Sequence, residues 1–195
     1  PLVRVEMQVS NRVVNVVEEG LDVALRVRTT LDDSASMVVK RLDEAAQILV
    51  ASPALLARQG VPRTLQDLAR LDSMAMSASD GRTSLRLIDP EGREHTLHHS
   101  PRYVVDDLLT LHSAALAGTG MCWLPDYLCH DAVRAGRLVH LLAGWAPQRG
   151  IVHAVFPSRR GLSPAVRQFL DYLGEAMPGC SSHATRQVVL RLKNQ

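Results

Sequence analysis

Residues 1–27, PLVRVEMQVSNRVVNVVEEGLDVALRV, decide the fold class. Val3, Val5, Met7 and Val9 alternate with Arg4, Glu6 and Gln8. A period of two turns one apolar face to a core, so this stretch reads as a half-buried strand. Ser10-Asn11 then supplies a helix cap, because a short side-chain oxygen accepts from the free amides of a first turn. Val13, Val14 and Val17 continue on one helical face, and Gly20 stops the helix as a residue that tolerates a left-handed backbone. Leu21 to Val27 is a second apolar strand. Strand, helix and strand in this order are most simply two parallel strands with a right-handed crossover.

The same alternation runs on. Ala46 to Ala51 is a strand, Ser52-Pro53 opens a short helix that Gly60 closes, and Thr64 caps a second one over Leu65 to Leu71. Met74 to Ser77 is a strand. Leu85–Ile88 and Glu94–His98 flank Asp89-Pro90-Glu91-Gly92, a β-hairpin with turn residues in its middle. Asp106 caps a helix through Ala117, closed by Gly118. Gly120 to Leu124 is a short buried strand, and Pro125 to Ala135 is a helix ended by Gly136. Leu138–Leu142 and Ile151–Phe156 are strands. Ser163-Pro164 is a strong helix start, and Val166, Phe169, Leu170 and Leu173 follow at core spacing. Beyond Gly179, Val188 to Leu192 fits a strand or a helical turn equally. The pattern predicts an α/β architecture with mostly parallel sheets, most simply packed as two lobes.

Composition narrows the class. At 195 residues, 46% hydrophobic and 22% charged, the chain has room for one domain or two small lobes and the make-up of a soluble globular protein. Charges interrupt every apolar run, so none is long enough to cross a bilayer. The opening residues carry no signal-peptide pattern, and three scattered cysteines, Cys122, Cys129 and Cys180, make no disulfide scaffold. Both point to a reducing, cytoplasmic setting. The chain does not begin with Met, which reads as a piece of something longer. Lys and Arg number 22 against 20 Asp and Glu. Three of those cations, Arg186, Arg191 and Lys193, and no acid, lie in 179–195, so the body is one charge negative and has no footprint for nucleic acid.

Enzyme signatures are missing: there is no Gly-x-Ser-x-Gly elbow and no phosphate-binding loop. Gly118-Thr119-Gly120 follows a helix, not a strand, and reads as a helix stop. On a strand His95 and His99 share a face that His98 does not, so the three are solvated hairpin residues and no metal site is expected. Cys122 and Cys129 lack partner spacing and read as buried packing. No cofactor is expected.

Specific words then match a family in order. Ser10-Asn11-Arg12-Val13-Val14, Glu19-Gly20-Leu21-Asp22-Val23-Ala24-Leu25-Arg26, Leu31-Asp32-Asp33-Ser34 and Leu49-Val50-Ala51-Ser52-Pro53 open the series. Ala114-Ala115-Leu116-Ala117-Gly118-Thr119-Gly120, Leu124-Pro125-Asp126-Tyr127-Leu128, Gly136-Arg137-Leu138-Val139 and Phe156-Pro157-Ser158-Arg159-Arg160 with Leu162-Ser163-Pro164 complete it. Over residues 1–177 the chain resembles the effector-binding domain of LysR-type transcriptional regulators, the CrgA-like branch most of all. The resemblance implies two Rossmann-like lobes joined by two crossover strands, as in type 2 periplasmic binding proteins, with a small-molecule cleft between them. On that basis residues 1–51 and 151–178 form lobe I, 52–150 form lobe II, and 179–195 are a basic tail.

Two parts of the family pattern do not appear in this sequence: the DNA-binding helix-turn-helix, and the first strand and helix of lobe I. The second gap would leave a sheet edge open, and the basic, partly apolar tail is a candidate to patch it with an added strand. It also leaves the oligomeric state of this chain open, whereas the longer protein is expected to be a homo-oligomer.

The resemblance also points to cleft residues. Ser10 and Asn11 stand at a strand–helix junction whose amides favour an anion or carboxylate, or simply cap a helix. Arg28 follows a strand where the family presents a cleft residue, and it can pair with a carboxylate or stay solvated. Ser77 ends a lobe II strand, Asp106 sits at a helix start as a cleft residue or an ordinary cap, and Leu124 with Pro125 forms the floor. Trp123 points the other way and fills core. The expected function is small-molecule sensing that controls transcription. The alternatives are a free-standing small-molecule binding protein and, with less support, an α/β enzyme.

Overall fold

The computed structural model describes residues 3–10, 12, 14–31, 37–76, 84–157, 162–177 and 188–194. It falls into two compact units, Pro1–Ala45 with Gly150–Gln195, and Ala46–Arg149.

The first unit is built on a five-stranded sheet. In chain order its strands are β1 (Val3–Val9), β2 (Val23–Arg28), β3 (Met37–Ala45), β11 (Gly150–Pro157) and β12 (Val188–Asn194). Their spatial order is β1-β12-β2-β11-β3, and every ladder is antiparallel. The expected parallel pairing of the first two strands is therefore corrected: they run in the same sense, but β12 lies between them. Val9 pairs with Val188 on one side of β12, and Ala24 pairs with Val189 on the other. The added strand considered for the tail is thus present, in the sheet's interior. Strand β3 had no counterpart in the sequence reading.

Two further expectations near the start are corrected. The alternating face of β1 is not half-buried: Val5, Met7 and Val9 are 49%, 59% and 49% exposed, because β1 is the sheet's edge and its ladder is with β12 alone. The helix expected after Ser10 gives way to turns over 16–20. The Ser10 hydroxyl accepts from Arg12 N at 3.3 Å, and Asn15 Oδ1 accepts from Val17 N at 3.2 Å. Such local bonds compete with a helix, and a run of β-branched valines favours one weakly. Val14 and Val16 are buried, whereas Val17 is exposed. Asn11 and Val13 lie outside the described residues. Gly20 adopts the expected left-handed backbone but closes a turn, not a helix: its φ of +61° lets Leu21 N turn back to Val16 O at 2.9 Å.

Helix α4 (Pro164–Ala176) supplies the first unit's apolar face. Ser163 Oγ caps it by accepting from Val166 N at 3.3 Å, as its Ser-Pro start predicts. Val166 and Leu170 are buried with Val23, Leu25, Leu42, Val152, Ala154 and Phe156, and Phe169 and Leu173 pack against them.

The second unit is contiguous. Its central strands are β10 (Val139–Leu141), β4 (Gln47–Ala51) and β9 (Cys122–Pro125), all antiparallel. The resemblance placed β4 in lobe I, but its ladders are with β9 and β10. Two short parallel strands, β5 (Met74–Met76) and β8 (Tyr103–Val105), adjoin β9 through a parallel bridge between Ser73 and Met121. Helices α1 (Pro53–Gln59), α2 (Leu108–Leu116) and α3 (Asp126–Arg134) cover this sheet. Ser52 caps α1 through Leu55 N at 3.2 Å, and Thr64 Oγ1 accepts from Asp67 N at 3.3 Å at the start of a 3-10 turn over Gln66–Arg70. Gly118, at φ +77°, ends the turn after α2, and a Cβ there would stand 2.9 Å from Ser52 Oγ.

The hairpin β6 (Ser84–Ile88) and β7 (Glu94–His98) forms with the expected turn. Asp89, 4% exposed, holds it together. Its carboxylate accepts from Glu91 N, Arg93 N, Arg93 Nε and His95 Nε2, all within 3.0 Å. His95 is therefore not a free solvated residue: it also lies 4.8 Å, ring to ring, from Trp145.

Candidate functional site

In a sheet, a ligand meets the residues that follow the strands at one edge, so register decides which candidates share an edge. In the first unit, β1 and β2 run in one sense and β11 runs against them. Ser10, at the end of β1, and Arg28, at the end of β2, therefore lie at the same edge. Arg28 pairs with Ile151, next to Gly150 where the chain re-enters the unit, and Gly150 pairs with Ala45 where it leaves. The two candidates thus sit at the edge that carries both crossings. Among the described residues the Arg28 guanidinium has no carboxylate partner, and its contact is Val27 O at 3.4 Å. It is half-buried, so its charge is incompletely hydrated. Asn11 lies outside the described residues.

In the second unit, β5, β8 and β9 run parallel. Asp106, after the carboxyl end of β8, and the Leu124–Pro125 end of β9 share one edge. Ser77 lies outside the described residues. Asp106 lines an open cavity of about 360 Å³ with Val104, Val105, Asp107 and Thr110. It is not the helix cap expected of it. Asp107 takes that place, because its Oδ2 accepts from both Thr110 N at 2.7 Å and Thr110 Oγ1 at 2.8 Å. Asp106 is left with an exposed carboxylate that makes no hydrogen bond among the described residues.

Leu124 and Pro125 are buried, and Leu124 packs with Val50, Leu111 and Cys129. In this structure both support the edge from below; neither is presented at its surface. Trp123 faces the opposite cluster with Leu49 and Met121, as the alternation implies. Thr110 lines the same cavity as Asp106, which the sequence reading missed; a threonine three residues after Asp107 is the signal that could have found it.

Other reactive groups have structural partners. Burial pushes the Cys129 thiol up to about 12, with the Asp126 carboxylate adding to it, and burial also raises Cys122 beside Cys129. Neither is a thiolate at neutral pH. His99 Nδ1 lies 3.2 Å from Ser73 Oγ, and burial lowers its basicity. Among the described residues no three His, Cys, Asp or Glu side chains are placed to hold a metal ion. No helix among them is long and apolar enough to cross a membrane.

An α/β architecture in two units is that of the periplasmic-binding-protein-like class. The chain belongs to the LysR substrate binding domain family, which it matches over residues 1–178. It is 30% identical over 182 residues to the HTH-type transcriptional regulator PtxR of Pseudomonas aeruginosa, covering 90% of this chain and 55% of that protein. It is 28% identical over 178 residues to the HTH-type transcriptional regulator CrgA of Neisseria meningitidis, covering 91% and 58%. The chain thus spans about half the length of the curated relatives it matches. The CrgA regulatory domain superposes with a TM-score of 0.71 at 26% identity, over 83% of this chain and 78% of that one. Full-length AphB of Vibrio cholerae, at 21% identity, shares the fold with a TM-score of 0.72 over 86% of this chain and 56% of that one.

Proposed function

We propose that the chain is the effector-sensing domain of a bacterial HTH-type transcriptional regulator, working in the cytoplasm within a homo-oligomer, and that its effector is a small carboxylate. The observation that carries the carboxylate is Arg28: a half-buried guanidinium at a strand end, with no acid partner among the described residues. A guanidinium matches a carboxylate in a two-pronged hydrogen bond, and partial burial strengthens the pair. Ser10, at the same edge, adds a hydroxyl. Asp106 and Thr110 offer an acceptor and a hydroxyl, which suit a hydroxyl or amine on the effector. The chain's own part in regulation is to offer the effector one conformational state that it binds more tightly than another; DNA contact belongs to a helix-turn-helix such as those for which the relatives are named.

A thermal melt against small aromatic and aliphatic carboxylates tests this. A ligand that binds only the folded chain adds about 2.7 kcal/mol at a hundredfold excess over its Kd. One carboxylate is expected to raise the melting temperature, and Arg28→Ala, melting unchanged without ligand, is expected to lose at least tenfold in affinity. An equal response in the variant would remove Arg28 from the site. A panel with no active carboxylate would overturn the effector class.

A further inference from the structure

The first unit holds a second cavity, away from the edge that carries Arg28. It encloses about 440 Å³ and is lined by Val39, Lys40, Phe156, Leu162, Arg167, Leu170 and Asp171. That volume is in the range of small-molecule sites. Ile151 marks the Arg28 edge through its pairing, and Phe156 lies further along β11, about 16 Å away at the rise of a strand. The cavity therefore belongs to neither of the edges described above.

Its chemistry is divided. Val39, Phe156, Leu162 and Leu170 make an apolar floor, and Phe156 and Leu170 belong to the buried core. Three charges stand over it. Lys40 Nζ donates to Leu170 O at 2.8 Å and pairs with Asp171 Oδ1 at 3.1 Å, so those two charges offset each other. The Arg167 guanidinium has no hydrogen bond or ion pair among the described residues. Among the described residues the lining thus carries one uncompensated positive charge over an apolar surface.

We propose that this cavity is a second ligand site, and that it takes a small apolar monocarboxylate whose charge meets Arg167 and whose hydrocarbon body covers Val39 and Leu162. Such a ligand removes apolar surface from water and matches the single uncompensated charge.

The test is a backbone-amide NMR titration of the full chain with 1-naphthoate. Amides of Lys40, Arg167, Leu170 and Asp171 are expected to shift together with one Kd. Arg167→Ala is expected to weaken that Kd at least fivefold, Arg167→Lys to restore part of it, and Arg28→Ala to leave it unchanged. The neutral 1-naphthamide is expected to bind less tightly by a similar factor. Because Arg167 is exposed on α4, its replacement leaves the fold intact, and the dispersion of the spectrum verifies this. No shift at these amides up to 10 mM (about the weakest affinity worth assigning to a site) would overturn the proposal. So would a Kd unaffected by Arg167→Ala. Loss of the site in Arg28→Ala would overturn it too, by assigning the ligand to the edge that carries Arg28.

Discussion

The two units solve the same packing problem with different chain economy. The second takes residues Ala46–Arg149 without interruption, and its helices α1 and α2 carry their own side-chain caps. The first is gathered from both ends of the chain, and β12, an interior strand of its sheet, comes after all the others in sequence. In one unit the information lies next to where it is used. In the other, β1 is held by a strand about 180 residues away, so the entropy of a long closure opposes its docking. Both tryptophans, Trp123 and Trp145, lie in the second unit, so their fluorescence follows that unit alone.

The sharpest break in this comparison is removal of residues 188–195. Among the described residues β12 provides the only ladder of β1, so the amides of 4–9 are expected to lose all slowed hydrogen exchange. Those of Val23 and Ala24 should exchange faster too, with the tryptophan melt unchanged. Continued protection in 4–9 would show that β1 is held without β12. A smaller effect, confined to the other unit, is expected from Leu55→Ala. Leu55 is fully buried against Leu49, Leu68 and Leu87, and a leucine truncation at such a site costs about 2–5 kcal/mol. The tryptophan melt should fall while exchange in β11 holds; a parallel fall in both would mean that the units unfold as one.

The smallest effect is local to the hairpin. Burial pushes the Asp89 carboxyl up, but the Arg93 amide, His95 and the Arg93 guanidinium outweigh it and hold it well below the usual carboxylate range. A group whose folded pKa is lowered lends stability above its ordinary pKa and loses it as the solution becomes more acid. The His95–Trp145 contact should therefore loosen progressively below about pH 4, near the ordinary value, seen as a change in Trp145 emission. In Asp89→Asn that acid transition should be absent.

The contrast between the units also explains what could be read from sequence. Ser52-Pro53, Asp89 to Gly92, Gly118 and Ser163-Pro164 act within a few residues, and each does what its chemistry dictates. Strand β3 was hidden because Lys40, Arg41, Asp43 and Glu44 break its apolar alternation, and the Lys40 ammonium finds its partners on α4, 130 residues away. The antiparallel pairing was hidden because a strand does not announce its neighbours. Asp106 and Asp107 are chemically identical as caps, and only the direction of the chain entering α2 chooses between them. The candidate site was legible as a set of strand ends, but which carboxylates and guanidiniums remain unpaired there is a property of the folded arrangement.

The position of β12 has a consequence for biosynthesis. As the chain leaves the ribosome, residues 46–149 emerge as a complete set and can fold while synthesis continues. The sheet of the first unit cannot close until residue 194 is in solution. Until then one edge of β2, in the middle of the finished sheet, stands open to any strand that reaches it. Translation speed over codons 158 to 194 therefore sets how long that edge is exposed, and a trigger-factor-type holdase would have its greatest effect in that interval.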